Sequence, residues 1–199
     1  MRLIALDFDG VIVTREHAEK TWKDGHPLGT APYLQTELIE RVDQIADAAG
    51  AKILLTTAWQ TKLSPEKIVQ MLVERGLRAP VVDAVGTQST YTGFDTRYRQ
   101  TNNWLVRNKD SVESIVILDD ETSKWQMLFP GSLEQPDGSL LPIRYDGGNG
   151  LVSPIPPGWL KGKVIRTSWE NGLLQEHVAL AIEILLDPER GGVLPKANV

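Results

Sequence analysis

Apolar strands alternate with amphipathic helices along most of the chain. Residues 2–8 contain four consecutive apolar side chains and predict a strand, whereas residues 34–49 repeat apolar side chains at helical spacing and end at Gly50. Other apolar runs predict three more strands, at residues 52–57, 80–85 and 114–118. This alternation is typical of the α/β class, with a parallel sheet that carries helices on both faces.

End signals predict the remaining elements. Residues 64–66 supply a cap, a first-turn proline and an acid, and the helix that they start ends at Gly76. Residues 97–108 can form a helix before the fourth strand, and residues 175–186 form an amphipathic helix near the end of the chain. Residues 163–167 are a candidate for a last strand.

Two segments interrupt this pattern. Residues 15–33 are polar and contain glycine and proline, which predicts a small excursion above the first strand. Residues 125–162 contain the turn signal Pro-Asp-Gly between strand-like segments and then a loop, which predicts a small β-hairpin insertion. Both are short, so we expect a minimal cap and an open site. We expect one domain over residues 1–186 and a poorly ordered tail over residues 187–199.

Composition excludes several classes of protein. The hydropathy never sustains the roughly 18 apolar residues that a membrane span needs, and the N-terminus lacks the apolar run of a secretory signal. The absence of cysteine excludes disulfides and thiolate metal sites, and it fits a cytoplasmic protein. A net charge of −5 argues against a protein that coats nucleic acid by bulk electrostatics, although a local basic groove stays possible.

Polar residues follow the predicted strands at the edge where ligands of open parallel sheets bind. In strand order these residues are Asp7 and Asp9, then Thr56 and Thr57, then Asp119 and Asp120. Arg97 and Arg99, at the start of the helix before the fourth strand, can reach the same edge. We therefore expect all of these side chains to meet at one site.

Crowded carboxylates repel one another unless a cation lies between them. A hard divalent metal with oxygen ligands resolves this conflict; we expect Mg²⁺, which leaves coordination positions for water and for a substrate phosphate. One carboxylate of the Asp7 and Asp9 pair can then hold metal and attack, while the other donates and accepts a proton. Gly10 allows the sharp backbone turn that follows this pair.

The chain resembles the haloacid dehalogenase (HAD) superfamily in four ordered motifs: Asp7-Phe8-Asp9-Gly10-Val11, a strand ending in Thr56, a basic residue before a helix, and Asp119-Asp120. The small HAD-like domains associated with RNA repair systems are similar in further segments, which read TTAW, RYRQTNNWL, ILDDE and NGLLQEHV. The motif resemblance spans residues 3–121. It implies a HAD-type, Rossmann-like fold.

The resemblance also implies a role for each carboxylate. Asp7 would be the nucleophile that forms an aspartyl-phosphate and also a metal ligand. Asp9 would be the general acid and base, with its backbone carbonyl on the metal. Asp119, together with Asp120, would complete the Mg²⁺ site. The acid at Asp9 favours phosphoryl transfer, because the dehalogenases of the superfamily lack an acid at this position.

The other two motifs leave alternatives open. Thr56 would bind the transferring phosphoryl group, but Thr57 adjoins it and can fill the same role. Arg97 or Arg99 would neutralise the phosphoryl group, where the superfamily usually has a lysine. Ordinary strand-end hydroxyls and a solvated helix start are the structural alternatives for these two pairs.

Aromatic residues and Gly10 are the candidates for substrate contact. Trp59 directly follows the second motif and Trp22 lies in the excursion after the first, so both can contact substrate. Trp104 and Trp169 are expected to pack on the sheet instead. Gly10, at the turn of the first motif, is expected to border the bound phosphate.

These motifs favour a Mg²⁺-dependent phosphomonoesterase that acts on a nucleotide or on a phosphate at a nucleic-acid end. An open site suits large substrates, which favours oligonucleotide 3′- or 5′-phosphates or the phosphate of a protein partner, ahead of a phosphorylated small molecule such as a mononucleotide. The alternatives are a non-catalytic or weakly catalytic module that binds nucleic-acid ends in a repair or phage system, and a phosphotransferase or mutase. The oligomeric state is left open.

Overall fold

The computed structural model describes residues 1–85, 101, 104–105, 107–108, 110–121, 133–134, 140–141 and 162–191. Arg97 and Arg99, the predicted turn at residues 136–138 and the end of the tail lie outside the described residues. Predictions that concern these segments therefore stay predictions.

A parallel sheet of five strands forms the centre of the fold. Its strands are β1 (Arg2–Leu6), β2 (Ala51–Leu55), β3 (Val81–Ala84), β4 (Ser114–Asp119) and β7 (Val164–Arg166). They lie in the order β3-β2-β1-β4-β7, and every neighbouring pair is parallel. The predicted parallel α/β sheet is therefore confirmed, and β1 lies at its middle.

Helices and helical residues cover both faces of the sheet. The helices of the described residues include α1 (Arg15–Lys23), α2 (Thr36–Ala49), α3 (Pro65–Glu74), α4 (Gln175–Leu186) and α5 (Pro188–Gly191). Buried side chains of α2, α3 and α4 pack on one face, against a cluster that includes Ile4 and Leu55. Trp104 and Leu105, which are helical, pack on the other face with Leu3. Burial of apolar area on both faces explains why the three central strands, β1, β2 and β4, are mostly apolar.

Helix α1 lies within residues 15–33, where the sequence predicts only a polar excursion. Thr21 is the only buried residue of α1, so the helix has no apolar stripe that a periodicity search could detect. Trp22, on the same helix, is 66% exposed. A single 3₁₀ turn follows at Ala31–Tyr33.

Two short strands lie in the segment for which the sequence predicts a hairpin. Strand β5 (Leu133–Glu134) pairs antiparallel with β6 (Leu140–Leu141). At the other end of the chain, α5 occupies the first residues of the segment that we expected to be poorly ordered. The division into one domain and a tail stays a prediction. Within the described ranges, no helix is both long and apolar enough to cross a membrane.

Candidate active site

Asp7, Thr56 and Asp119 lie side by side at the carboxyl edge of the sheet. The parallel ladder continues past Leu6, since the Asp7 N–H donates to Leu118 O at 3.1 Å and the Thr56 N–H donates to Leu6 O at 3.0 Å. Residues in one row of a parallel sheet project to the same side. All three side chains are buried. Two carboxylates and a hydroxyl are thus brought together from three adjacent strands.

Asp120 completes a set of three carboxylates with Asp7 and Asp119. One carboxylate oxygen from each residue lies within 4.8 Å of the others. Burial raises the pKa of Asp120, and repulsion from Asp119, Glu121 and Asp9 raises it further. An all-oxygen donor set of this kind fits a hard divalent cation, which would also relieve the repulsion. We call Asp7, Asp119 and Asp120 the carboxylate set.

The carboxylate of Asp9 contacts a tryptophan. The indole N–H of Trp59 donates to the two oxygens of Asp9, at 3.1 Å and 3.3 Å. Edge-to-face contacts with Phe8 and Tyr33 hold the indole, with ring centroids 5.4 Å and 6.4 Å away. Trp59 therefore orients Asp9, a role that the sequence did not predict, and its contact with substrate stays a prediction.

The two threonines after β2 have different surroundings. The Thr57 hydroxyl accepts the Trp59 backbone N–H at 3.3 Å and caps the 3₁₀ turn Ala58–Thr61. The Thr56 hydroxyl oxygen is buried and has no hydrogen-bond partner among the described residues. A buried hydroxyl without a partner is costly unless a ligand or water satisfies it. The surroundings therefore favour Thr56 over Thr57 as the group that contacts a ligand.

Gly10 lets the loop after β1 approach the carboxylate set closely. Its φ is +71°, in the left-handed region, and its N–H donates to Val13 O at 2.9 Å. A Cβ at this position would lie 2.6 Å from Asp120 Cβ, closer than two nonbonded carbon atoms can approach. The left-handed φ and the closeness of Asp120 both favour glycine at this turn, as the sequence predicts. Contact of Gly10 with substrate stays a prediction.

Substitution of Gly10 by Ala tests this close approach. We expect Gly10→Ala to lower the free energy of unfolding by roughly 2–4 kcal/mol, because it adds a clash with Asp120 to the cost of left-handed backbone. Gly25→Ala is the matched control: its φ is +85°, but no atom lies within 4 Å of a Cβ there. We expect the control to lose about 1 kcal/mol of unfolding free energy. The free energies of unfolding are measured with urea. Equal losses in Gly10→Ala and Gly25→Ala would show that Asp120 does not restrict this turn.

A basic residue whose place at the site the sequence does not predict lies next to the carboxylate set. Arg166, the last residue of β7, lies opposite Asp119 in the register of β7 with β4, and it is exposed. The N–H of Thr167 then donates to Asp119 O at 3.2 Å. The sequence predicts a strand here, but only the pairing of β7 with β4 brings these residues to the carboxylate set.

Contact of Trp22 with substrate stays a prediction.

Comparison with known protein families shows a match over most of the chain. The family model described as "HAD domain in Swiss Army Knife RNA repair proteins" matches residues 3–135. This range contains the whole carboxylate set, Thr56 and Trp59, whereas β7 and α4 lie after it. No curated protein and no solved structure matches the chain.

Proposed function

This chain belongs to the HAD domains in Swiss Army Knife RNA repair proteins, and from this premise we propose that it is a Mg²⁺-dependent phosphomonoesterase. It acts on a phosphate at a nucleic-acid end, or on a nucleotide, through an aspartyl-phosphate. The observation that carries the proposal is the buried row of Asp7, Thr56 and Asp119, with Asp120 beside it. Family membership supports a phosphohydrolase of the HAD type. The row supports the proposal because it groups the carboxylates and the hydroxyl to which we assign the nucleophile, the metal ligands and the phosphate contact.

The reaction has two half-reactions. A carboxylate oxygen of Asp7 attacks phosphorus, and the bond to the ester oxygen breaks as Asp9 gives that oxygen a proton. Water then attacks the phosphorus of the aspartyl-phosphate while Asp9, now ionised, accepts a proton from it. Inorganic phosphate leaves and Asp7 is regenerated. The indole of Trp59 holds the Asp9 carboxylate in a fixed orientation for both proton transfers.

Charge on the phosphoryl oxygens has to be neutralised in both half-reactions. Mg²⁺ held by Asp7, Asp119 and Asp120 would supply most of this positive charge and orient the phosphate. The Thr56 hydroxyl donates a hydrogen bond to one phosphoryl oxygen. Arg97 or Arg99 contributes the cation that the third motif of the superfamily provides.

The two threonines give a paired test. We expect Thr56→Val to lower kcat by roughly 10²-fold, the usual loss when one donor to a developing oxyanion is removed. We expect Thr57→Val to lower the free energy of unfolding by about 1 kcal/mol, because it removes a cap, with a much smaller loss of kcat. Steady-state kinetics and urea unfolding measure the two effects. The opposite pattern would assign the phosphate contact to Thr57.

The metal requirement is tested with p-nitrophenyl phosphate. We expect turnover to stop after EDTA treatment and to return with Mg²⁺. Mg²⁺ should also raise the melting temperature of the wild type, because it binds the native carboxylate set and not the unfolded chain. In Asp119→Asn this rise should be much smaller. Asp47→Asn, which alters an exposed carboxylate paired with Arg78, is the matched control.

Two outcomes would contradict the proposal. Full activity after exhaustive chelation would remove the metal role of Asp7 and Asp119. Tight binding of phosphorylated ends without release of phosphate would identify a binding module instead. A screen over mononucleotides, 3′- and 5′-phosphorylated DNA and RNA, and sugar phosphates then ranks the substrates. A cytoplasmic location stays a prediction.

A further inference from the structure

A cavity of about 490 Å³ adjoins the carboxylate set at Asp120. Its other described lining residues come from the end of β7, from the segment that follows it and from the start of α4. They include Arg166, Thr167, Trp169 and His177. The volume lies within the roughly 300–1,000 Å³ that small-molecule sites occupy. We call this space the β7 cavity.

The wall of the β7 cavity is anchored to the loop that follows Asp7. The N–H of Leu173 donates to Val11 O at 2.9 Å, and the N–H of Arg15 donates to Trp169 O at 2.7 Å. Gly172 has a φ of +65°, and a Cβ there would lie 2.6 Å from a methyl carbon of Leu38. Close packing of this kind fixes the wall relative to the carboxylate set.

Two polar side chains of the lining are suited to a ligand. Thr167 is 3% exposed, and its hydroxyl has no hydrogen-bond partner among the described residues. A buried hydroxyl of this kind is costly unless ordered water or a ligand satisfies it. The Nδ1 atom of His177 accepts the Leu174 N–H at 3.1 Å, and burial lowers the pKa of His177. The neutral ring therefore carries its proton on Nε2, where it is a donor.

Arg166 and Trp169 add a cation and an aromatic ring to the same lining. Trp169, which the sequence predicts to pack on the sheet, is half-buried: it packs against the core cluster and also lines the cavity. Arginine is suited to phosphate recognition because its planar fork donates two hydrogen bonds to one anion. Indole rings stack on nucleobases without regard to base identity. Glu170, which also lines the cavity, forms a salt bridge with Arg15 at 3.1 Å, so its charge is partly offset. An aromatic ring, a cation, a buried hydroxyl and a half-buried imidazole together match a nucleotide.

We propose that the β7 cavity binds the nucleotide that adjoins the scissile phosphate of a single-stranded nucleic-acid end. The base stacks on Trp169, Arg166 contacts the neighbouring phosphodiester, and Thr167 and His177 contact the sugar or the base edge. This assignment rests on the proposed function, because the carboxylate set places the scissile phosphate next to the cavity. It narrows the substrate class to nucleic-acid strands and excludes sugar phosphates as the main substrates.

A binding experiment tests the cavity without turnover. The probe is a fluorescein-labelled single-stranded oligonucleotide with a terminal phosphate, and its anisotropy is followed with Asp7→Asn protein in Mg²⁺. In this background we expect Trp169→Leu to weaken binding about 5- to 100-fold, the range for the loss of one stacked base. Trp169→Phe should restore most of the affinity, because a phenyl ring also stacks. Melting temperatures show whether each variant is folded.

Arg166→Gln is the second variant, because an exposed side chain can be changed without loss of the core. We expect it to weaken binding about tenfold and to reduce the dependence of affinity on salt. Arg190→Gln is the matched control. Arg190 lies in α5, directly after α4. The carbonyl of Leu185, near the end of α4, accepts a hydrogen bond of 2.8 Å from the hydroxyl of Ser114, the first residue of β4. Arg190 therefore lies near the amino edge of the sheet, away from the carboxylate set. The control should bind like the parent protein.

The outcomes separate this proposal from the proposed function. Loss of binding in Trp169→Leu and Arg166→Gln, with rescue by Trp169→Phe, supports the nucleotide assignment even if no phosphate ester is hydrolysed. Affinities within twofold of the parent in both folded variants would overturn it, as would a parent protein that does not bind the probe. Where turnover is observed, the variants should lose at least tenfold more kcat/KM on the phosphorylated oligonucleotide than on p-nitrophenyl phosphate. Equal losses on both substrates would overturn the assignment.

Discussion

Asp7→Asn is expected to lower phosphate release by roughly 10⁴-fold or more. The neutral amide does not attack phosphorus, and the substitution removes one negative charge from the carboxylate set that we propose as the Mg²⁺ site. Steady-state release of phosphate from p-nitrophenyl phosphate, measured in saturating Mg²⁺, gives the loss. Residual activity within tenfold of the wild type would remove Asp7 from the role of nucleophile.

The same substitution should not destabilise the metal-free protein. Asp7 lies within 4.8 Å of two other carboxylates, so its neutralisation relieves repulsion. We therefore expect the melting temperature of Asp7→Asn in EDTA to equal or exceed that of the wild type, which separates lost chemistry from lost folding. Asp24→Asn is the matched control, because Asp24 is exposed and pairs only weakly with Lys20 at 3.3 Å.

Asp9→Asn is expected to impair alkyl phosphates far more than aryl phosphates. A ribose oxygen needs a proton as its bond to phosphorus breaks, whereas p-nitrophenolate leaves without one. Loss of the proton donor should therefore cost roughly 10²–10⁴-fold on a nucleotide substrate. The loss in the first half-reaction should be much smaller on p-nitrophenyl phosphate. Steady-state kinetics on both substrates measure the difference.

The second half-reaction gives Asp9→Asn a further signature. Without a base for the attacking water, the aspartyl-phosphate should accumulate, so p-nitrophenolate should appear in a burst of about one equivalent per site. The hydrogen bonds from Trp59 make this substitution conservative, since the oxygen of the introduced amide can still accept the indole N–H. Equal losses on both substrate classes, without a burst, would mean that Asp9 only shapes the turn after β1.

The sheet and its carboxylate edge could be predicted because they depend on short patterns. Apolar runs give the strands, and the carboxyl ends of parallel strands meet at one edge, so Asp7 and Asp119 could be placed at the same edge. That they are direct neighbours follows from the pairing of β1 with β4 in the structure. The choice between Thr56 and Thr57 could not be made from the sequence. Adjacent residues project to opposite sides of an extended chain, and only the register with Leu6 shows which one joins the row.

Other features depend on contacts that no local pattern encodes. The hydrogen bonds between Trp59 and Asp9 join residues 50 positions apart. Arg166 reaches the site because β7 pairs with β4, and β7 is only three residues long. Helix α1 carries too few buried residues for its period to be visible. In each case the tertiary structure, not the propensity of the segment, determines the outcome.

The phosphorylated residue itself is the most direct test of a covalent mechanism. Asp9→Asn protein is mixed with p-nitrophenyl phosphate and Mg²⁺, quenched in acid during the burst, digested at low pH and examined by mass spectrometry. In this variant Asp7 is the only carboxylate within residues 3–15. We predict one phosphoryl group on that segment, lost again in the variant that also carries Asp7→Asn. Turnover with this segment unmodified, or a phosphoryl group on another part of the chain, would contradict the account.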